Sequence, residues 1–199
     1  MENKKSLSKW LVASDIDGTL NNKMRKLPKR NEDAIRRFVS MGGRFTLASG
    51  RNPQSMKKHF KRLPIDGTPA VVINGAGIYD FQKDEMIWFS AISEEGMNLA
   101  IEAAKKFPLV DVVVVAKDII YITGTGWFGK MFVLSGDLKH KHIRNIEDVP
   151  KENWGKVIYS GDPISISRIK KHFESMVDPD FTFFYRFKCF RIDNFCKEM

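Results

Sequence analysis

The apolar positions of this chain fall into short runs separated by longer amphipathic stretches. Leu11-Val12-Ala13-Ser14 is the first run and reads as a short buried strand. Asn31 to Met41 then places Ala34, Ile35, Phe38, Val39 and Met41 near helical spacing. Pro28 precedes that helix as a first-turn residue, and Gly42-Gly43 ends it. Arg44 to Ala48 predicts a second strand, Pro53 to Arg62 a second helix and Pro69 to Ile73 a third strand. Strand–helix–strand order of this kind predicts an open α/β sheet. Ile78 to Phe81 and Met86 to Phe89, split by Gln82-Lys83-Asp84-Glu85, read as a hairpin.

From Ile92 onward the pattern changes. Ser93-Glu94-Glu95 caps a helix with Met97, Ala100, Ile101 and Ala104 on one face, stopped at Phe107-Pro108. Val110 to Ala116 and Ile119 to Thr123 predict an apolar hairpin around Lys117-Asp118. A polar, basic passage follows. Then come a strand at Lys156 to Ser160, a helix at Pro163 to Met176 and strands at Phe181 to Phe187 and Phe190 to Asp193. Hairpins with helices on one side predict an α+β module. Trp127, Phe128, Phe183, Phe184 and Tyr185 are expected to fill its core.

Chemistry concentrates where the early strands end. Asp15-Ile16-Asp17-Gly18-Thr19-Leu20 follows the first strand directly. Ligands of open α/β sheets sit outside the carboxyl ends of strands, so this acidic loop lies where a reaction would be placed. One carboxylate can attack phosphorus while the other moves a proton. Both are hard oxygen donors suited to Mg²⁺. The plainer reading is an Asp-Gly turn whose acids cap backbone amides. The second strand ends in Ser49-Gly50-Arg51, where a hydroxyl, a close-approach glycine and the start of a helix favour an anion. Ser49 as a helix N-cap and Arg51 as a surface ion pair are the alternatives. The third strand ends in Asn74-Gly75-Ala76-Gly77, another turn open to close backbone approach.

Taken together, these motifs resemble the first two signatures of the haloacid-dehalogenase-like phosphohydrolases, and the Asn-Gly-Ala turn resembles the Cof-type, IIB branch. The resemblance implies a partial Rossmann-like three-layer α/β core over residues 1–82, an inserted α+β cap over 83–190 and the start of a return to the core at 191–199. It implies a Mg²⁺-dependent phosphatase acting on a small phosphorylated metabolite such as a sugar phosphate. Asp15 would be nucleophile and Asp17 general acid/base, both serving the metal. Gly18, Thr19, Ser49, Gly50, Arg51 and Asn74 would hold substrate or phosphate. Lys197 is the candidate for the family's phosphoaspartate-steadying lysine, with a plain terminal lysine as the alternative; Lys188 is no stronger. Ser135-Gly136-Asp137 and Ser160-Gly161-Asp162 contain the Gly-Asp of the last, metal-completing signature, but both lie in the cap and lack the following acid. The chain is therefore expected to stop short of the second half of the core, with reduced or absent turnover. An unpaired core edge then gives a second copy a place to pair.

Composition narrows this picture little. At 199 residues and 43% hydrophobic, the chain can bury a sizeable core. No apolar run nears the ~18 residues of a membrane span. Met1 to Trp10 is lysine-rich without a signal-peptide apolar stretch, so a cytoplasmic protein is expected. Cys189 and Cys196 match no zinc spacing and are expected as reduced thiols. The histidines His59, His140, His142 and His172 are expected on solvated helix or loop positions. The net charge of +9 suits an anionic substrate as well as nucleic acid, and no nucleic-acid motif accompanies it. Two rival classes stand beside the enzyme: a non-catalytic phosphate-ligand or protein-binding module, and a basic nucleic-acid binder.

Overall fold

A computed structural model describes residues 7–65, 67–123 and 139–176, and the backbone of 181–186 and 189–194. The chain divides into two compact units, Met1–Trp88 and Phe89–Met199.

In the first unit, β1 (Leu11–Ser14) pairs in parallel with β2 (Arg44–Leu47), Ser14 level with Leu47. Helix α1 (Lys29–Ser40) makes the crossover between them. Helix α2 (Pro53–Arg62) links β2 to β3 (Ala70–Val72), which joins the sheet through one parallel bridge, Ala48 to Val71. β4 (Gly77–Asp80) and β5 (Glu85–Phe89) continue antiparallel from β3. Glu32 of α1 receives Arg36 and Arg62 as ion-pair partners, which ties α1 to α2.

Two expectations fail here for physical reasons. β1 was expected to be buried, yet Leu11 is 52% and Val12 41% exposed. The cause is topological: among the described residues β1 has β2 on one side and no strand on the other. The third strand was expected to run through Ile73. It ends at Val72 because Ile73 and Asn74 turn left-handed, at φ 53° and 61°.

The second unit holds one six-stranded sheet in the order β10-β11-β9-β6-β7-β8. Its strands are β6 (Asp111–Ala116), β7 (Ile120–Thr123), β8 (His140–Ile143), β9 (Trp154–Ser160), β10 (Phe181–Arg186) and β11 (Cys189–Asn194). The pairings are antiparallel except β7 with β8. Helices α3 (Glu94–Lys106) and α4 (Pro163–Glu174) start at Ser93 and Asp162, whose side chains accept backbone N–H groups of the first turn. Met97, Ala100 and Ile101 of α3, Ile166, Ile169 and Phe173 of α4, and Val112, Val114, Val157 and Tyr159 of the sheet share one buried cluster around Trp154. The basic passage contains a strand, β8, that periodicity alone did not show. Of the aromatics expected in this core, Trp127 and Phe128 lie outside the described residues, as do the side chains of Phe183, Phe184 and Tyr185.

Candidate functional site

Register brings the acidic loop and the serine loop to the same sheet edge. β1 and β2 run parallel and in step, so Asp15 and Ser49 both emerge at carboxyl ends. Ala48 N–H donates to Ser14 O at 2.9 Å, and Ser49 N–H to Val71 O at 3.0 Å, which adds the end of β3. Asn74 N–H then donates to Ser49 O (3.1 Å) and Ile73 N–H to Arg51 O (2.9 Å), so the second and third loops are stapled together. A left-handed β-branched residue is a genuine outlier, and strain of this kind costs about 1–3 kcal/mol. At Ile73 the two staples and near-complete burial hold it.

The acidic loop is one wide turn over Ile16–Leu20. Leu20 N–H donates to Asp15 O at 3.1 Å and Asn21 N–H to Ile16 O at 2.9 Å, both five-residue closures. Gly18 sits at φ 87°, a conformation that favours glycine. Ile16 and Leu20 point inward and anchor the turn, while Asp15, Gly18 and Thr19 are exposed and Asp17 is half-buried. The Asp15 carboxylate meets no hydrogen-bond partner among the described residues.

Asp17 is engaged. Arg51 Nε donates to its Oδ2 at 2.8 Å and Nη2 to its Oδ1 at 2.7 Å, a bidentate pair. That hydrogen bonding holds the Asp17 carboxyl below its ordinary value of 3.8, against the opposing effect of burial, with the Arg25 cation adding to it. The ion pair expected of Arg51 as an alternative is therefore present, but with an acid of the candidate site and largely out of solvent. Ser49 is buried, and its Oγ accepts Arg51 N–H at 3.3 Å. It does not cap α2: Asn52 does, accepting Ser55 N–H at 3.1 Å. A Cβ on Gly50 would sit 2.6 Å from Asn74 Oδ1, so glycine is what lets the two loops approach. The turn therefore gathers Asp15, Asp17, Gly18, Thr19, Ser49, Gly50, Arg51 and Asn74 at the ends of three neighbouring strands. Lys197 and Lys188 lie outside the described residues.

The expectation of solvated histidines fails at His59, which is 5% exposed on α2. Its Nε2 lies 3.2 Å from Asn21 Nδ2, and Asn21 itself is buried at the end of the acidic turn. Burial, with the nearby Arg51 and Lys58 cations, pushes His59 down to about 4. The sequence offered one hint: His59 lies three residues after Met56, on the buried stripe of α2. Charge also favours this unit for an anion. Residues 1–88 carry seventeen Lys and Arg against nine Asp and Glu.

As a cation site the donor chemistry is that of a hard ion. Asp15 could offer a carboxylate and Asp17 a backbone carbonyl, both oxygen, and Mg²⁺ usually keeps several waters. Among the described residues no group of three or more His, Cys, Asp and Glu side chains gathers. The residues fit a Mg²⁺ held by few protein ligands.

An α/β sheet with acids, a serine and an anion-friendly loop at its carboxyl edge defines a class of hydrolase, and comparison with known proteins agrees. The chain belongs to the haloacid dehalogenase-like hydrolase family, whose model matches residues 12–195. A curated protein named "Putative phosphatase" from Buchnera aphidicola is 38% identical over 76 residues, 37% of this chain and 27% of that protein. A haloacid dehalogenase-like hydrolase from Bacteroides thetaiotaomicron shares the fold at TM-score 0.78 and 17% identity, over 93% of this chain and 71% of its own. A solved sugar phosphatase of HAD subclass IIB matches at TM-score 0.73 and 18% identity, over 93% and 69%. The aligned region spans 27% and 31% of the two curated relatives' lengths. Among the described residues, no helix is long and apolar enough to cross a membrane.

Proposed function

We propose that this chain is a Cof-like phosphatase acting on a small phosphate monoester, a sugar phosphate being the leading class, in the cytoplasm. The observation that carries the reading is the shared carboxyl edge of β1, β2 and β3, with an exposed Asp15 beside an Asp17 that is paired to a guanidinium. Asp15 attacks phosphorus as the bond to the ester oxygen breaks, and Asp17 gives that oxygen its proton. Water then attacks the aspartyl-phosphate, Asp17 takes the water's proton, and Asp15 is regenerated as phosphate leaves. Asp15 and the Asp17 carbonyl would hold Mg²⁺, which would supply charge neutralisation when bound.

Arg51 sets a condition on this chemistry. While it grips Asp17, that carboxyl stays ionised and holds no proton to donate. An incoming phosphoryl group competes for the same guanidinium, and its success frees Asp17 to be protonated. Thr19, Ser49, Gly50 and Asn74 line the remaining approach with hydroxyl, amide and backbone donors.

The test is hydrolysis of p-nitrophenyl phosphate with and without Mg²⁺. The expected result is Mg²⁺-dependent turnover that Asp15→Asn lowers by about a thousandfold or more, the scale seen when a nucleophile is lost. Equal rates for the two proteins would remove Asp15 from this role. One observation favours a second reading, a non-catalytic module that binds a phosphorylated ligand: the Arg51 guanidinium holds both Asp17 carboxylate oxygens. Calorimetry separates the two, since saturable Mg²⁺ binding lost in Asp15→Asn supports the enzyme, and phosphate binding without Mg²⁺ supports the module.

A further inference from the structure

The buried pair Asn21–His59 has no part in the chemistry above, and it costs the fold something. Asn21 is 4% exposed, and among the described residues neither its Oδ1 nor His59 Nδ1 has a partner. Leaving buried polar atoms unpaired is unfavourable by about 1–3 kcal/mol each, whereas two apolar side chains of similar shape would leave none. Packing alone therefore does not account for the pair.

Its position does. Asn21 ends the acidic turn, with its N–H on Ile16 O. His59 sits on α2, the helix that begins immediately after Ser49-Gly50-Arg51 with Asn52 as its cap. The 3.2 Å contact between Asn21 Nδ2 and His59 Nε2 thus joins the loop after β1 to the helix behind the loop after β2. On the other side Asn31 Nδ2 donates to Leu20 O at 2.9 Å, so the exit of the turn is held from α1 and α2 together. We propose that His59 is a positioning residue: through Asn21 it fixes the acidic turn to α2, and so fixes Asp15 and Asp17 relative to Ser49 and Arg51. This deepens the phosphatase reading and rests on it for its kinetic consequence only. Burial, with Arg51, Lys58 and Arg62 nearby and against the pull of Asp17, disfavours an imidazolium, which keeps a ring nitrogen available as acceptor.

The experiment compares the full chain with His59→Phe, His59→Gln, Asn21→Leu and the double variant Asn21→Leu/His59→Phe. Glutamine can present an acceptor near the Nε2 position; phenylalanine cannot. The first readout is amide hydrogen exchange at Leu20 and Asn21, whose N–H groups close the turn. Exchange is expected to rise roughly tenfold in His59→Phe and Asn21→Leu, the size of one buried hydrogen bond, with α3 amides unchanged. His59→Gln is expected to stay near the parent. The double variant, which orphans no polar atom, regains thermal stability yet keeps the fast exchange. In p-nitrophenyl phosphate hydrolysis, the same variants lower kcat about tenfold with KM within about twofold, and His59→Gln restores it. Parent-like exchange in His59→Phe, or a double variant that regains protection as well as stability, would overturn the proposal. So would His59→Gln behaving like His59→Phe. Should either single variant fail to fold, the double variant and His59→Gln decide. A parent without hydrolytic activity would count against the phosphatase reading, and exchange alone would then judge the clamp.

Discussion

The two units of this chain treat their strands in opposite ways. In the second unit, β6 and β9 lie in the middle of six strands and are buried along nearly their whole length. In the first, among the described residues, β1 has one neighbour and shows Leu11 and Val12 to solvent. The strain divides the same way. Among the described residues, the non-glycine residues at positive φ are Arg25, Ile73, Asn74 and Asp84 in the first unit and Asn153 in the second. A six-stranded sheet that shares one core with two helices can be built for stability. A sheet edge that holds acids and an ion pair, backed by a buried histidine on α2, gives some of that stability up to position chemistry.

The sharpest way to break this contrast is in the second core. Phe173→Ala removes a fully buried ring that packs near Tyr159 and Ile169. It is expected to cost about 3–5 kcal/mol, read by urea denaturation of the second unit. A loss below about 1 kcal/mol would mean that this core is not the rigid half.

Acid should single out the first unit. His59 is pushed down to about 4 from an ordinary value of 6.5 by burial, by Arg51, Lys58 and Arg62, and against the pull of Asp17. Between those two values the unfolded chain binds the proton and the folded chain does not, so stability rises with pH across that window. Lowering the pH from 7.5 to 5 is expected to cost the first unit about 2 kcal/mol through this group. His59→Phe removes that slope. Asp17 and Glu32, held down by their arginines, add losses only at lower pH, as it falls through their depressed values. An unchanged slope in His59→Phe would place the acid sensitivity elsewhere.

A smaller effect is expected at the strained turn. Asn74→Gly is expected to be near neutral, because both residues tolerate φ 61°. Asn74→Val puts a β-branched side chain there and is expected to cost about 1–2 kcal/mol. Equal stability of the two variants would show that the turn relaxes.

What the sequence made legible, and what it hid, follows from the range of the interactions. Asp15, Gly18, Ser49 and Gly50 could be read because each sits where a local apolar run stops, and strand ends are a local property. The strand–helix alternation of the first unit and the helix capped at Ser93 were legible for the same reason, whereas the cap at Asp162 is seen only in the structure. The hold of Arg51 on Asp17 was not: it joins residues 34 positions apart, and a lone Gly-Arg fits substrate or surface equally well. His59 looked solvated because basic neighbours, Lys57, Lys58 and Lys61, surround it in sequence, while helix geometry turns it inward. β8 was missed since His140-Lys141-His142 has no apolar alternation and owes its strand to pairing with β7. The exposure of β1 was invisible to pattern, because an apolar run does not say how many neighbours it will find.

That last point yields the mildest prediction and the one closest to the contrast. Val12 is exposed, so Val12→Lys is expected to shift unfolding of the first unit by under about 0.5 kcal/mol. The same substitution at Val114, fully buried within the second core, strands a charge and is expected to cost several kcal/mol. If β1 pairs with a second copy of the chain through its open side, sedimentation of the parent gives a dimer and Val12→Lys a monomer, since edge lysines oppose strand pairing. The net +9 charge works against such pairing, so its strength should grow with salt as the repulsion is screened. A parent that stays monomeric at high salt and high concentration would leave β1 as an open edge of this chain, and a Val12→Lys cost comparable to that at Val114 would mean that Val12 is covered after all.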